Sequence, residues 1–194
     1  SPAGAGDEYA HVVAAIGDVN GDGYDDVAVG APVHGRAVEG PAGRVYVYYG
    51  GRDASFGTTL ADGATLVDSP LPETDEEFGA AITGVGDVDH DGFGDVLIGA
   101  PGHSTTRGAG SAYLIFGDSA RLGLGRGPIP IQHPDGLAAP VDIRFGAVVS
   151  GGGDADGNAT SDFVIAAPDE GAGRVYLYRM DGSDPVVIPR PFVL

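Results

Sequence analysis

Short apolar runs alternate with turn-forming segments along the whole chain. One such series is Val12 to Ile16, Val27 to Val29, Arg44 to Tyr49 and Thr65 to Val67, with residues rich in Gly, Asp and Pro between the runs. β-Branched and aromatic residues are common in these runs, which favours strands. No stretch shows helical periodicity over the roughly 11 residues that an amphipathic helix needs. The pattern therefore predicts an all-β chain of short strands joined by tight turns.

The same order of landmarks occurs three times. An acidic segment begins at Asp18 and recurs at Asp87 and Asp154, with offsets of 69 and 67 residues. Two further landmarks keep both offsets. They are Tyr9-Ala10, Phe78-Gly79 and Phe145-Gly146 upstream, and Gly30-Ala31-Pro32, Gly99-Ala100-Pro101 and Ala166-Ala167-Pro168 downstream. Constant spacing of several landmarks identifies a three-fold internal repeat.

Each repeat is predicted to contain four strands. The counterparts of the first strand are Ala80 to Val85 and Ala147 to Ser150, and those of the fourth strand are Pro130 to Gln132 and Pro185 to Ile188. Four antiparallel strands in a unit of about 65 residues, repeated in series, are typical of β-propeller blades. The predicted fold is a single β-propeller-type domain over residues 1–194, with repeats at about 7–72, 76–140 and 143–191.

These landmarks resemble a known family. Phe-Gly and Gly-Ala-Pro on either side of an Asp-rich loop, both intact in the second copy, resemble the FG-GAP repeat of the integrin α-subunit N-terminal β-propeller and its bacterial relatives. The resemblance extends from about Asp7 to about Pro189. It departs from the motif at Tyr9-Ala10 in the first copy and at Ala166 in the third. It implies a module that holds Ca²⁺ in these loops and, like integrin-like members, recognises protein ligands.

The charge balance narrows the range of partners. The chain has 28 acidic residues against 10 basic ones, for a formal net charge of −18, and every basic residue is Arg. Phosphate backbones would be repelled, which excludes nucleic-acid binding. No apolar run approaches the roughly 20 residues that span a bilayer, so we expect no membrane insertion. Cysteine is absent, which excludes disulfides and thiolate zinc sites.

Each acidic loop carries oxygen side chains at alternate positions. Positions 1, 3 and 5 of a tight turn gather ligands around one point, position 7 adds a backbone carbonyl, and position 9 adds a carboxylate, which together suit Ca²⁺. The predicted metal ligands are Asp18, Asn20, Asp22, Tyr24 and Asp26 in loop one, Asp87, Asp89, Asp91, Phe93 and Asp95 in loop two, and Asp154, Asp156, Asn158, Thr160 and Asp162 in loop three. These sets predict up to three Ca²⁺ ions, one per loop.

Differences among the loops predict a ranking of affinity. Loop two has four carboxylates and is expected to bind most tightly. Loop three is expected to bind most weakly, because Ala159 replaces the Gly that occupies position 6 of the other loops, although Gly157 offers another place for the bend. Position 12 falls inside an apolar strand rather than on a Glu, so these are not EF-hand loops. The alternative is that the Asp-Gly and Asn-Gly pairs only form hairpin turns.

The residues favour binding over catalysis. The chain offers no Cys or Lys nucleophile. Its five His, His133 among them, lie in loops or strand ends at unrelated repeat positions, where we expect solvated surface residues. We therefore expect a non-catalytic, calcium-binding module for protein recognition or adhesion, secreted or at the cell surface. The segments 33–42, 103–109 and 169–171 are the candidate display loops. The alternative is a Ca²⁺-stabilised structural module of a larger secreted protein, or the non-catalytic part of a secreted hydrolase.

The number of blades raises a question of assembly. Propellers close with roughly four to eight blades, and this chain supplies three. Three interpretations follow: a homodimer that completes a six-bladed ring, a part of a longer propeller, and an open arc. We favour self-assembly if the chain is a complete natural one, and a part of a larger ring if it is a piece of a longer protein.

Overall fold

The structure, a computed structural model, describes residues 8–34, 43–52, 64–70, 76–102, 108–120, 122–123, 126–181 and 184–187. Over these residues the chain forms three antiparallel sheets of four strands each, and a short 3-10 turn at Gly136–Ala138. None of the helical segments found there is long and apolar enough to span a membrane. The all-β prediction and the four-stranded antiparallel blades are confirmed.

The strands follow the repeats in sequence order. The first sheet contains β1 (Val12–Gly17), β2 (Asp26–Ala31), β3 (Arg44–Tyr48) and β4 (Thr65–Asp68). The second contains β5 (Ala81–Gly86), β6 (Asp95–Ala100), β7 (Ser111–Ile115) and β8 (Ile129–Gln132). The third contains β9 (Val148–Gly153), β10 (Asp162–Ala167), β11 (Arg174–Asp181) and β12 (Asp184–Val187). Neighbours in sequence pair in each sheet, so each blade is a simple meander.

The blades pack face to face in the order first, second, third. The first strands β1, β5 and β9 lie side by side. Alternate residues of a strand point to opposite faces, so Val45 and Val47 face the second blade while Tyr46 faces away from it. A separate buried cluster, which includes Leu97, Leu114 and Phe163, fills the space between the second and third blades. The core of the molecule is therefore two blade interfaces in series, with a smaller buried cluster of Val29, Ala31 and Tyr46 on the other face of the first blade.

The Phe-Gly and Gly-Ala-Pro motifs meet at these interfaces. A β-carbon on Gly30 would lie 2.1 Å from the carbonyl oxygen of Gly79 in the next blade, and one on Gly99 would lie 2.1 Å from that of Gly146. Backbone cannot yield to such a contact, so only glycine fits. The motif glycines thus allow adjacent blades to approach closely.

Each first strand ends in a β-bulge before its acidic loop. The pairing register shifts there in all three blades. The Gly that closes the bulge has a positive φ in each case: 75° at Gly17, 79° at Gly86 and 72° at Gly153. A bulge with Gly in the left-handed region bends the strand and re-aims the residue that follows it. That residue is position 1 of the loop.

Candidate metal centres

The position-1 aspartates organise the acidic loops, which join the first and second strands of each blade. In loop one, Asp18 accepts hydrogen bonds from the backbone N–H groups of Gly21, Asp22 and Gly23 at 2.7, 3.1 and 2.8 Å. Burial works against ionisation of Asp18, but these donors outweigh it and lower its pKa. In loop three, hydrogen bonds led by the N–H of Ala159 likewise lower the pKa of Asp154. Loops one and three are thus wound around carboxylates whose ionised form these backbone donors stabilise.

The position-9 aspartates are buried and bound twice by the backbone. Asp26 accepts N–H groups from Val19 at 2.9 Å and from Gly50 at 2.7 Å, each on a different oxygen. Asp95 and Asp162 repeat this arrangement. Their donors are Val88 and Gly117, and Ala155 and Met180. Each position-9 carboxylate therefore ties position 2 of its loop to the third strand or to the residues just after it.

Burial of these carboxylates makes their negative charge costly. Desolvation raises the pKa of Asp26, and it raises the pKa of Asp95 to about 7. Burial and the neighbouring charge of Asp91 also raise the pKa of Asp89. A bound cation would offset this cost, because it stabilises the ionised form of every carboxylate around it.

The predicted ligands converge in loops two and three. Carboxylate oxygens of Asp87, Asp89 and Asp95 lie within 4.8 Å of one another, and so do those of Asp154, Asp156 and Asp162. In the described part of the chain, Oδ1 of Asp89 is buried and has no hydrogen-bond donor. An acceptor without a donor lacks the partner that its burial requires, and a cation would supply it. The donor set in loop two therefore fits a hard divalent cation.

Two predicted positions differ in character from the rest. At position 3 of loop one, the amide of Asn20 donates to Asp22 at 3.1 Å instead of adding a carboxylate. At position 7, Tyr24 is exposed, Phe93 is half-buried and Thr160 is buried. The expected contribution of Tyr24 and Phe93 is a backbone carbonyl, which does not depend on the exposure of the side chain.

Neighbouring loops contact each other through positions 4 and 7. A β-carbon on Gly21, at position 4 of loop one, would lie 2.6 Å from the ring of Phe93 at position 7 of loop two. His90, at position 4 of loop two, hydrogen-bonds to the hydroxyl of Thr160 at position 7 of loop three at 3.0 Å. The N–H of Gly94 also donates to the carbonyl of Asp18 at 2.7 Å. The three loops therefore form one continuous surface.

Two arginines beside the loops were missed by sequence reasoning. Arg126 lies 3.7 Å from Asp89, and Arg179 lies 3.1 Å from Asp156, measured between the guanidinium nitrogen and Oδ2. Arg126 and Arg179 occupy unrelated positions in their repeats, so alignment of the repeats does not reveal the pair.

His133 departs from its expected place at the surface. It is buried, and its Nε2 lies 2.6 Å from the hydroxyl of Tyr176 and 3.2 Å from the carboxylate of Glu170. Arg174 binds the other carboxylate oxygen at 2.9 Å. Burial and the Glu170 hydrogen bond raise the pKa of Tyr176 to about 12. This network fastens the candidate display loop 169–171 to the third blade.

The fold and the loops define a class of protein: serial four-stranded β-propeller blades, each with an acidic loop between its first two strands. The FG-GAP repeat family matches residues 12–48 and 78–115, which lie in the first and second blades. The chain therefore contains FG-GAP repeats over these residues. The third blade lies outside the matched residues but has the same strand order.

Integrin α subunits are similar to most of the chain. It is 36% identical over 167 residues to Drosophila melanogaster integrin alpha-PS3, which covers 84% of the chain and 13% of that protein. It is 34% identical over 154 residues to Cricetulus griseus integrin alpha-3, covering 79% of the chain and 13% of the relative. Mus musculus integrin alpha-IIb is 34% identical over 187 residues, covering 93% of the chain and 16% of the relative. The chain thus spans a small part of these relatives.

Proposed function

We propose that the chain is a calcium-binding, non-catalytic FG-GAP module for protein recognition, secreted or at the cell surface. The observation that carries the calcium function is the buried Oδ1 of Asp89, which makes no hydrogen bond within the described chain while two further carboxylates converge beside it. The match to the FG-GAP family and the similarity to integrin α subunits support the recognition role.

Calcium suits the donor set better than magnesium. Positions 1, 3, 5 and 9 supply side-chain oxygens and position 7 a carbonyl, and Ca²⁺ accepts six to eight oxygens at roughly 2.3–2.6 Å in flexible geometry. Mg²⁺ demands a stricter octahedron and retains its waters. The position-9 carboxylates keep lone pairs free for a cation, since each oxygen accepts one backbone N–H. Bound Ca²⁺ would supply the positive charge that neutralises the crowded carboxylates.

We assign the proposed recognition of a protein ligand to the display loops because of where they lie in each blade. They follow the second strand of each blade, at the end of the sheet opposite to the acidic loops. Residues 35–42 and 103–107 of the first two lie outside the described residues, while the third is held by Glu170. We propose that a protein ligand binds there and that the acidic loops stiffen the scaffold.

Calorimetric titration of the whole chain with Ca²⁺ tests the calcium function. We expect up to three sites, with loop two the tightest and loop three the weakest. Asp87→Asn should abolish the tightest site and Asp154→Asn the weakest. Asp118→Asn, an acidic residue outside the loops, is the matched control and should bind like the wild type. Absence of binding in the wild type, or equal binding by all variants, would overturn the proposal.

A further inference from the structure

Arg126 and Arg179 contact equivalent carboxylates from different places in their blades: Arg179 lies on β11, and Arg126 lies between β7 and β8. Each lies beside the position-3 Asp of a loop in its own blade, Asp89 or Asp156. The strand pairing makes Phe116 the counterpart of Arg179, because Ile115 and Tyr178 pair with equivalent residues of β6 and β10. The Arg126 guanidinium lies over the ring of Phe116, 4.3 Å from its centre. In the second blade, the ring of Phe116 therefore packs against Arg126, which comes from another segment of the chain. In the third blade, β11 itself supplies the arginine at the equivalent position.

Loop one shows the converse. Its counterpart to Phe116 and Arg179 is Tyr49, and its position-3 residue is the neutral Asn20. A guanidinium accompanies position 3 in the two loops that have a carboxylate there. Among the described ion pairs, an arginine therefore lies beside position 3 where that position is a carboxylate.

We propose that Arg126 and Arg179 are resident counter-charges that set the cation affinity of loops two and three. This inference rests on the proposed calcium function. Without a cation, each guanidinium offsets part of the repulsion among the loop carboxylates. With a cation, the same positive charge opposes binding, because like charges a few ångströms apart repel.

The two carboxylate oxygens of Asp89 have different neighbours, so one can pair with the arginine and the other can bind a cation. Oδ2 faces Arg126, while Oδ1 is buried without a donor in the described residues. The arginine therefore sits beside the carboxylate without taking the oxygen that a cation needs. It acts as a modulator of affinity and leaves the ligand in place.

Removal of the charge has two effects of opposite sign. In Arg126→Gln we expect Ca²⁺ affinity at loop two to rise about three- to tenfold, because a positive charge beside the ligand Asp89 is removed in a water-like medium. The melting temperature in EDTA should fall, because the carboxylates lose their counter-charge. Both arginines are partly exposed, so high salt should shrink the affinity difference.

The experiment compares wild type, Arg126→Gln, Arg179→Gln and the charge-retaining Arg126→Lys in the full chain, by calorimetric Ca²⁺ titration and by melting in EDTA. Arg174→Gln is the matched control for Arg179→Gln, since both residues lie on β11 but Arg174 pairs with Glu170 at the other end. Arg126→Lys and Arg174→Gln should bind like the wild type.

The outcomes separate the two proposals. Tighter binding by both Gln variants together with a lower melting temperature in EDTA supports the inference. Unchanged or weaker binding by the Gln variants, when the wild type binds Ca²⁺, overturns it and leaves the calcium function standing. Absence of Ca²⁺ binding in the wild type overturns the calcium function, and this inference with it.

Discussion

At the residue scale, position 6 of the acidic loops keeps a left-handed backbone even in loop three, where Ala replaces Gly. The φ angle is 88° at Gly23, 97° at Gly92 and 70° at Ala159. The bend therefore stays at position 6 in loop three and does not move to Gly157, which is itself left-handed at position 4 with a φ of 81°. An L-residue with a side chain is strained there, since its β-carbon approaches the following carbonyl. At position 6, loop three thus carries local strain that Gly23 and Gly92 avoid, while loop two has its own left-handed non-glycine residue, His90, at position 4.

The strain at Ala159 predicts a stabilising substitution. Ala159→Gly should raise the free energy of unfolding by about 0.5–1 kcal/mol, because relief of the left-handed strain exceeds the extra entropy of glycine in the unfolded chain. Gly92→Ala should lower it by a similar amount, as nothing lies within 4 Å of a β-carbon there and only the backbone conformation opposes it. Urea unfolding in EDTA measures both. A destabilised Ala159→Gly variant would contradict the argument.

At the element scale, the position-9 aspartates join parts of a blade that are distant in sequence. Asp26 binds Val19 within its loop and Gly50 beyond β3. The first hairpin and the third strand of the blade are therefore held together by one carboxylate. This link between distant segments needs no cation, whereas the proposed ligand role of position 5 depends on one.

This difference predicts distinct phenotypes for two substitutions in loop one. Asp26→Asn should lower the free energy of unfolding by about 2–3 kcal/mol both with and without Ca²⁺, because the amide NH₂ would face a backbone N–H inside the protein. Asp22→Asn, at the exposed position 5, should slightly raise the stability in EDTA, because one negative charge near Asp26 is removed, and it should reduce the stabilisation by Ca²⁺. Thermal unfolding of both variants in Ca²⁺ and in EDTA measures the effects. Equal behaviour of the two variants would refute the distinction.

At the scale of the whole molecule, the outer faces of the first and third blades differ from the inner ones. Val13 is 61% exposed on the first blade, whereas its counterpart Ile82 is 7% exposed in the second. Val148 on the third blade is 58% exposed. Ala166 also lies on the outer face of the third blade, at the position where Gly30 and Gly99 admit the next blade. If a second copy docked in the same geometry, one of its backbone carbonyls would clash with the β-carbon of Ala166.

Ala166 therefore opposes the homodimer that would complete a six-bladed ring. That homodimer stays a prediction from sequence. We expect the wild type to have the mass of a monomer by light scattering. Ala166→Gly should form a dimer at lower concentration, because it restores the close approach seen at Gly30 and Gly99. A dimer of the wild type in Ca²⁺ that dissociates in EDTA would contradict the steric argument and support the metal-dependent ring.

The sequence by itself determined the all-β class, the three copies of four strands and the places of the acidic loops. These follow from local features: apolar runs of strand length, turn residues between them, and landmarks such as Phe78-Gly79 at constant offsets. A strand and its hairpin partner lie close in sequence, so composition and spacing specify them. The metal ligands and the repeat boundaries come from the same patterns and stay predictions.

Only the tertiary structure decided which distant groups meet. The second backbone donor to Asp26, the burial of His133 and the approach of Arg126 to Asp89 all depend on how strands pair and how blades pack. Arg126 and Arg179 share no repeat position, so no periodic signal relates them. Their proposed common role rests on the folded structure, in which each lies beside a position-3 carboxylate. Contacts across large sequence separations are set by packing geometry, which local pattern does not encode.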